Sequence, residues 1–390
     1  MEQEQSAYIT SLHLKGYKSI RDLSVDLKQG LNIIIGANGS GKTNFLEFLD
    51  AAYRSDYESL LNGRPFESVV IMQYSYPRMM KGERVFQNKI KYRVEIDYGD
   101  NDKNVYFLND EKKVVKKEES DDFVIDLTEI KLLRFNNPLN TILNEKISLN
   151  LTANDLIYSE LNKKTNTTNT FLNTIFDIAF EFNNKTFSTF VKSIIETQPF
   201  DIEILKQNLK QFSPIKDFKI DWSLVRETEL DEDGEIISSL LDGVDLKFYV
   251  NDEWLNWIQL SDGIKRLFYI IGSVAYSNRD GNDIILIEEP ELGIHPHQLS
   301  LLLDFIKIQS LEKQIIITTH APEVLNCLKE NEIDRIIVAR HEGKGGTKMY
   351  KLSEKEQKSV QTYMKHQASI SDYWLQTGFE KEENKGEVAA

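Results

Sequence analysis

The stretch of sequence that decides the fold is Leu31-Asn-Ile-Ile-Ile-Gly-Ala-Asn-Gly-Ser-Gly-Lys-Thr43. It begins with a largely apolar run that is typical of a strand covered on both faces. The segment Gly36–Thr43 then satisfies the pattern G-x-x-x-x-G-K-[ST]. Apolar residues follow at helical spacing, at Phe45, Leu46, Phe48, Leu49 and Ala52. A buried strand, a glycine-rich turn and a helix in this order predict a phosphate-binding P-loop and argue against a chance glycine turn.

The residue types of this loop fit a nucleoside triphosphate. Glycines allow backbone N–H groups to close around phosphate oxygens, and the start of the helix adds its positive dipole. Lys42 is expected to reach the β- and γ-phosphates, while the hydroxyl of Thr43 is expected to ligate Mg²⁺. The predicted nucleotide-binding residues of the loop and the first helical turn are Gly36, Asn38, Gly39, Ser40, Gly41, Lys42, Thr43 and Asn44.

Composition and charge exclude several classes of protein. The chain has 390 residues, of which 41% are hydrophobic and 28% charged, as in ordinary globular proteins. The net charge of −15 disfavours a non-specific polyanion binder as the main role, although it allows a local basic groove. One cysteine, Cys327, cannot form an intramolecular disulfide, and neither a signal peptide nor an apolar run long enough to span a bilayer is seen. We therefore expect a cytoplasmic protein with no membrane contact.

A second apolar run, Ile284–Ile287, ends in the adjacent carboxylates Glu288 and Glu289. Consecutive side chains of a strand point to opposite faces, so one carboxylate can approach Mg²⁺ while the other points towards an attacking water. Glu288 is predicted to lie on the metal side, and Glu289 is predicted to be the general base or the group that positions the water. The alternative, a solvated acidic strand end, is disfavoured beside a P-loop.

Two further motifs mark places where a phosphate could bind. Ser261, Asp262 and Gly263 open a predicted helix, which offers an anion site for a nucleotide held by another subunit. A common serine N-cap is the alternative for this motif. The apolar run that begins at Ile315 ends in His320, at the edge of a sheet where a γ-phosphate would lie. The alternative for His320 is an ordinary surface histidine.

The whole chain is predicted to be an α/β protein, because strands alternate with helices near both ends. Stretches such as SVVIMQYSY, KIKYRVEIDYG, NVYFLND and IKLLRF predict an antiparallel sheet attached to this core, with a charged turn at 111–119. Residues 138–212 are predicted to be helical. Strands are expected at 217–222 and 244–260, and a helix from Pro322. The predicted organisation is 1–135 for the N-terminal part of the core with the P-loop and β subdomain, 136–215 for a helical insertion, 216–350 for the C-terminal part of the core, and 351–390 for a helical tail.

In this order and spacing the motifs resemble the ATPase head of the ABC superfamily, and within it the SMC/RecF and overcoming-lysogenization-defect types. Ser261 precedes Glu289 by 28 positions and His320 follows it by 31, close to the spacing of that superfamily. The resemblance implies a P-loop NTPase of the ABC-ATPase type, with a mixed sheet flanked by helices, an antiparallel β subdomain and a helical insertion. It also implies ATP and Mg²⁺ as ligands. Two chains would pair head to tail, each ATP lying between Gly36–Thr43 of one chain and Ser261–Gly263 of the other.

The resemblance also assigns roles to single residues. Glu289 is implied to be the catalytic base, His320 the γ-phosphate switch, and Lys42 a further catalytic residue. The D-loop that crosses to the other subunit is carried by Gly293 with its two neighbours. Two features depart from the pattern: Glu288 stands where aspartate is usual, and the signature reads SDG instead of SGG. A less specific match assigns Lys18 and Ser19 to bracing the nucleotide. Gln73 is a candidate for the Q-loop glutamine, in a region too divergent for the resemblance to assign it.

Two domains found in related families, a Toprim nuclease domain and an SMC coiled-coil arm, have no match in this sequence. The 70 residues after His320 are too few for the Toprim nuclease domain of the overcoming-lysogenization-defect family, and the helical block is too short for an SMC arm. Compact heads of this kind resemble the ATPase partners of two-gene prokaryotic defence systems. We therefore expect an ATP-hydrolysing switch for a separate effector, such as a nuclease or toxin, in antiphage defence. The alternatives are a RecF-like repair ATPase that binds DNA and a scaffold that binds ATP without hydrolysing it.

Overall fold

The computed structural model describes the backbone of residues 7–53, 66–80, 83–98, 103–108, 114–117, 130–133, 147–152, 203–230, 236–275, 284–366 and 369–379. Side chains are described for residues 8–50, 204–219, 247–275, 284–366 and 369–379. The chain divides into two compact units. The first unit comprises Met1–Arg134, Asn278–Leu292 and Ile306–Ala390, and the second comprises Phe135–Ser277 and Gly293–Phe305.

Strands outnumber helices in the described residues. The strands are β1 (Ala7–Tyr17), β2 (Ile20–Asp26), β3 (Leu31–Ile35), β4 (Phe66–Met80), β5 (Glu83–Tyr98), β6 (Lys103–Leu108), β7 (Val114–Lys117), β8 (Ile130–Leu133), β9 (Ile147–Thr152), β10 (Asp217–Leu230), β11 (Ile236–Val250), β12 (Glu253–Asn256), β13 (Ile284–Glu288), β14 (Gln314–Thr319), β15 (Ile336–His341) and β16 (Thr347–Lys351). The α-helices are α1 (Lys42–Tyr53), α2 (Glu203–Phe212), α3 (Asp262–Ala275), α4 (Pro296–Gln309), α5 (Glu354–Lys365) and α6 (Ile370–Thr377).

The first unit is built on a mixed sheet in the order β16-β15-β3-β14-β13-β8. All neighbours in this sheet are parallel except β15 and β16, which pair antiparallel. Every residue of β3, β13 and β14 is buried, as expected for parallel strands covered on both faces. The apolar residues of α1 that lie in the described part, Phe45, Leu46, Phe48 and Leu49, are buried in the same core. The mixed α/β sheet predicted for this chain is therefore confirmed.

A second sheet of the first unit is antiparallel, in the order β2-β1-β4-β5-β6-β7. It is joined to the mixed sheet by the buried side chain of Gln314, which accepts a hydrogen bond from the backbone N of Ile9 at 2.8 Å and donates to its carbonyl at 2.8 Å. The predicted antiparallel sheet is thus confirmed, with two corrections. The IKLLRF stretch contributes β8 to the mixed sheet, parallel to β13, because its apolar run lacks the alternation of a half-exposed strand. The charged turn at 111–119 contains β7, which pairs with β6.

The second unit holds an antiparallel sheet in the order β10-β11-β12, with β9 paired to β11. The strand β10 extends beyond the predicted 217–222, as far as Leu230. The strand predicted at 244–260 is a correction: β11 begins earlier, at Ile236, and ends at Val250, and the rest of the prediction holds β12 and a 3-10 helix over Trp257–Gln259. Within the stretch predicted to be helical, 138–212, α2 confirms a helix and β9 is a correction. The sequence of β9, ISLNLT, alternates apolar and polar residues, which is the period of a strand. Residues 153–202, with the remaining predicted helices, lie outside the described part.

Near the C-terminus, two further corrections concern short elements. The helix predicted from Pro322 is a 3-10 helix over Pro322–Cys327. The strand β16 is not among the predicted strands, and its first residue, Thr347, is fully buried. The predicted helical tail is confirmed by α5 and α6, each of which begins with a serine capping box. The predicted domain boundaries themselves remain a prediction.

Four aromatic side chains pack into one cluster of the second unit, around the N-terminal half of α3. Phe268 of α3 contacts the other three with ring centroids 4.9–5.9 Å apart, and all four side chains are at least 97% buried. Edge-to-face pairs of this kind add to the free energy gained from apolar burial. The members are Phe218, Phe248, Trp257 and Phe268.

Replacing Phe268 with alanine is expected to lower the free energy of unfolding by about 3–5 kcal/mol, because a buried aromatic ring leaves a cavity. Trp254, which is 44% exposed, provides the matched control. Calorimetric unfolding should show a much smaller loss for Trp254→Ala. Equal losses for the two variants would contradict a core centred on Phe268.

Candidate active site

The P-loop connects β3 to α1, and its lysine is almost fully buried. Lys42 is 5% exposed, and its Nζ donates hydrogen bonds to the carbonyl oxygens of Gly36 at 2.8 Å and Ala37 at 3.0 Å. Burial lowers the pKa of Lys42, and the nearby carboxylates of Glu289, Glu291 and Glu288 act in the opposite direction. These contacts hold the ammonium group over the loop, within the field of three carboxylates.

Two glycines of the loop are required by close packing. A Cβ atom on Gly36 would lie 2.2 Å from the carbonyl oxygen of Ala339. Gly41 has φ +95°, and a Cβ atom there would lie 2.0 Å from Oγ1 of Thr347. By contrast, Gly39 has φ +79° but no described atom near its absent Cβ, apart from its chain neighbours. Gly39 and Asn38 are exposed, so this part of the loop is open to a ligand.

Thr43 and Glu288, the two predicted Mg²⁺ ligands, are in contact, and their role as ligands stays a prediction. The hydroxyl of Thr43 donates a short hydrogen bond to Oε1 of Glu288, the last residue of β13. A hydroxyl and a carboxylate are the hard oxygen ligands that Mg²⁺ prefers. The longer side chain of Glu288, compared with the usual aspartate, spans the distance to Thr43. The buried Oγ of Ser40 has no hydrogen-bond partner in the described chain, so a phosphate oxygen could satisfy it. The residues present therefore fit a nucleotide phosphate with Mg²⁺.

Glu289 lies in a strained turn that brings its carboxylate to the histidine. Its φ is +46°, which is uncommon for a residue other than glycine and often marks functional sites. Its backbone N donates to the carbonyl of Thr318 at 2.8 Å, so the turn is anchored on β14. Its Oε1 lies 3.1 Å from Nδ1 of His320, the residue that follows β14. The predicted base and the predicted switch histidine are therefore in direct contact.

Sequence reasoning missed Glu291, which belongs to the same cluster. Its Oε1 accepts hydrogen bonds from Oγ1 of Thr319 at 2.6 Å and from the backbone N of His320 at 3.3 Å, and lies 3.5 Å from Nδ1 of His320. The residue is visible in the sequence two positions after Glu289. The alternation of side chains in a strand ends at Glu288, however, so the direction of Glu291 could not be predicted.

Lys18 and Ser19 contact the P-loop helix. The Nζ of Lys18 pairs with Oε2 of Glu47 in α1 at 2.5 Å. Burial is the largest influence and lowers the pKa of Lys18, but the bond to Glu47 and the interactions with Tyr17 and the charge of Glu47 together leave the pKa raised. The Oγ of Ser19 accepts a hydrogen bond from Nδ2 of Asn44 at 2.7 Å and lies 2.7 Å from Oγ1 of Thr347. In this structure both residues therefore support α1, and nucleotide bracing by them stays a prediction.

In the second unit, the signature residues begin α3. The Oγ of Ser261 accepts a hydrogen bond from the backbone N of Ile264 at 3.4 Å. The side chain of Asp262 is 85% exposed and lies 3.6 Å from Nζ of Lys265, which offsets its charge. Gly263 packs against the D-loop, since a Cβ atom there would lie 2.4 Å from the carbonyl oxygen of Gly293. The helix start thus presents a serine and a helix dipole to solvent.

Two other expectations concern Gln73 and the membrane. Gln73 lies in β4, where its backbone pairs with Tyr8 and Lys91, and its role in a Q-loop stays a prediction. None of the helices in the described ranges has the length and apolar character needed to cross a membrane.

A family model covers most of the chain. The family described as "AAA domain, putative AbiEii toxin, Type IV TA system" matches residues 31–326. This range begins at β3 and includes the P-loop, the signature, Glu288, Glu289 and His320. The match therefore contains every motif on which the candidate site depends, apart from Lys18 and Ser19.

Solved structures and one curated relative point to the same fold. The Smc head bound to the C-winged helix domain of ScpA has a TM-score of 0.52 and 16% identity, and the match covers 90% of this chain and 99% of that one. A Smc head with an extended coiled coil, bound to the C-terminal domain of ScpA derived from Pyrococcus furiosus, gives 0.53 and 16%, covering 93% and 100%. The DNA replication and repair protein RecF of Francisella tularensis subsp. mediasiatica (strain FSC147) is 48% identical over 40 residues, 10% of this chain. The chain spans 12% of the length of that relative. The predicted SMC/RecF-type ABC ATPase fold is confirmed.

The two positive-φ glycines of the loop give a matched test of its packing. Gly41→Ala is expected to lower the free energy of unfolding of the nucleotide-free protein by about 2–4 kcal/mol, because the new Cβ adds a collision with Thr347 to the backbone strain. Gly39→Ala adds only the strain of the left-handed conformation, about 1–2 kcal/mol. Thermal unfolding measures both. Equal losses would contradict the close contact between Gly41 and β16.

Proposed function

We propose a function for this chain, which belongs to the family described as "AAA domain, putative AbiEii toxin, Type IV TA system". In this proposal it binds and hydrolyses ATP and acts as a nucleotide-driven switch for a separate effector protein in antiphage defence. The observation that carries the hydrolytic part is the convergence of two pairs at one sheet edge. Thr43 contacts Glu288 on the metal side, and Glu289 contacts His320 on the other.

The side chains of this edge fit the hydrolysis of a phosphoanhydride. In the proposed reaction a water oxygen forms a bond to the γ-phosphorus and its proton passes to the carboxylate of Glu289. The bond from the γ-phosphorus to the bridging oxygen breaks, and its electron pair leaves with ADP. Lys42 would place positive charge beside the phosphates, and His320 would lie beside the γ-phosphate. Thr43 and Glu288 would hold Mg²⁺, which when bound would neutralise charge on the phosphate oxygens.

The second half of the proposed site comes from another copy of the chain. Ser261 and Asp262 are exposed at the start of α3, where a helix N-terminus attracts an anion. In the proposed assembly this start binds the γ-phosphate of the ATP held by the partner's P-loop. The D-loop around Gly293 packs against Gly263 in the same chain, so it would transmit closure between the two sites.

The effector part of the proposal draws on two findings. The family description names a putative toxin of a toxin–antitoxin system, which supports a role in a system of two partner proteins. The two Smc heads of similar structure are complexes with domains of ScpA, so this fold can carry a bound protein. We propose that closure around ATP exposes or hides the effector-binding surface, and that the protein works in the cytoplasm.

A DNA-binding repair ATPase is the second candidate function. The observation that favours it is the 40-residue match to RecF at 48% identity. Duplex DNA binding that requires ATP and weakens with salt is the outcome expected for this candidate, because phosphate contacts release counterions.

Replacing Glu289 with glutamine is expected to lower kcat about 100- to 1000-fold while ATP binding is retained, because the amide cannot accept the water proton. Lys42→Ala is expected to lose ATP binding itself. Phosphate release and binding of a fluorescent ATP analogue measure the two effects. Glu312→Gln, at an exposed position of the same unit, is the control. Hydrolysis by Glu289→Gln at the wild-type rate would contradict the assignment of the base.

Capture from the native host tests the effector part. Tagged Glu289→Gln protein, kept with ATP and Mg²⁺, should retain a stoichiometric protein that Lys42→Ala does not retain, since only the former reaches the closed state. Mass spectrometry and a nuclease-sensitive nucleic-acid assay identify what is bound. A bound nuclease or toxin supports the switch; nuclease-sensitive DNA alone supports the repair ATPase and overturns the switch.

A further inference from the structure

Glu291 is a buried carboxyl group that faces the C-terminal end of β14. Its side chain is 9% exposed, and one oxygen atom, Oε1, makes all of its hydrogen bonds described above. The donors are the hydroxyl of Thr319 and the backbone N–H of His320. Nδ1 of His320 lies 3.5 Å from the same oxygen. One oxygen therefore holds both the side chain before the histidine and the backbone of the histidine itself.

The hydroxyl of Thr319 extends this hold to the far side of the histidine. It donates to Glu291 and accepts a hydrogen bond from the backbone N of Ala321 at 2.9 Å. The residues on both sides of His320 are thus tied, directly or through Thr319, to one carboxyl group. Such a two-sided tie fixes the backbone from which the imidazole projects.

Glu289 and Glu291 share the same ring nitrogen. Nδ1 of His320 lies 3.1 Å from Oε1 of Glu289 and 3.5 Å from Oε1 of Glu291. Both carboxylates come from one turn, in which the positive φ of Glu289 redirects the chain after β13. Glu291 therefore contacts the same imidazole nitrogen as the proposed base.

The described contacts of Glu291 leave the second of its two carboxyl oxygens unused. The second oxygen, Oε2, is buried and makes no hydrogen bond to any part of the chain that the structure describes. A buried polar atom without a partner lowers stability, and such exceptions are expected mainly at functional sites.

We propose that Glu291 is a positioning residue, which holds Thr319 and His320 so that the imidazole stays in contact with Glu289 during hydrolysis. This inference rests on the proposed ATPase activity. It implies that kcat depends on Glu291 and that ATP affinity does not, because the contacts of Glu291 lie on the side of His320 and not on the phosphate-binding loop. It also implies that the effect passes through the hydroxyl of Thr319.

The test measures kcat and the Kd for ATP in Glu291→Ala, Glu291→Gln and Thr319→Val. Glu291→Ala is expected to lower kcat about tenfold or more with Kd changed less than twofold. Glu291→Gln keeps an oxygen that can accept the hydrogen bond from Thr319, so it should restore most of the rate. Glu323→Ala, at an exposed position three residues after His320, is the matched control and should equal wild type.

A double-mutant cycle separates positioning from general loss of packing. If Glu291 acts through Thr319, the double variant Glu291→Ala with Thr319→Val should have nearly the kcat of Glu291→Ala alone. Multiplicative effects on kcat would overturn the proposal, as would a kcat for Glu291→Ala equal to that of the control. Thermal unfolding shows whether Glu291→Ala is folded. If it is not folded, the kcat values of Glu291→Gln and Thr319→Val decide. A lower kcat for Thr319→Val with an unchanged kcat for Glu291→Gln supports the proposal, and any other pattern overturns it.

The rates of the wild type, Glu289→Gln and Glu291→Ala distinguish a failure of the proposed function from a failure of this inference. Absence of hydrolysis in the wild type, or equal rates for wild type and Glu289→Gln, overturns the proposed function and with it this inference. Hydrolysis that is lost in Glu289→Gln but unchanged in Glu291→Ala overturns the inference alone.

Discussion

The parallel pairing of β3, β14 and β13 is the constraint on which the site depends. In this register Ile35 lies opposite Thr319, and Glu288 lies opposite Thr318, so all three strands end at one level. The P-loop follows β3, Glu289 and Glu291 follow β13, and His320 follows β14. Two backbone hydrogen bonds continue the ladder past the strands, from Gly36 N to the carbonyl of Thr319 at 3.2 Å and from Glu289 N to that of Thr318 at 2.8 Å. Side chains far apart in sequence are brought together by this register.

The electrostatics of the edge follow from burial. The three carboxylates of Glu288, Glu289 and Glu291 lie close to the buried ammonium of Lys42, and burial makes that ammonium harder to charge. Hydrogen bonds divide the acidic groups between two tasks: Glu288 is engaged by Thr43, whereas Glu289 and Glu291 face His320. Neighbouring carboxylates thus have different hydrogen-bond partners.

The parts of the site that the sequence predicts well are those in which a local pattern determines direction. The strand, loop and helix around Gly36–Thr43 form as expected, and Glu288 and Glu289 have different partners, Thr43 and His320. Glu291 and Thr347 could not be placed, because one follows a turn with positive φ and the other reaches Gly41 through tertiary packing. The sheet to which β8 belongs could not be predicted, because a run of four residues does not determine its partner strand. The strand β9 lies in a stretch that was predicted to be helical from the apolar spacing further along it, although the sequence of β9 itself alternates.

The central claim is that ATP joins two copies of this chain through the P-loop of one and the α3 start of the other. Sedimentation velocity of Glu289→Gln with and without ATP and Mg²⁺ tests it most directly. The account predicts a species of about twice the monomer mass of 45.2 kDa only when ATP is present, and its loss on adding Ser261→Arg. A single monomeric species under both conditions, or a dimer that persists with Ser261→Arg, would contradict it.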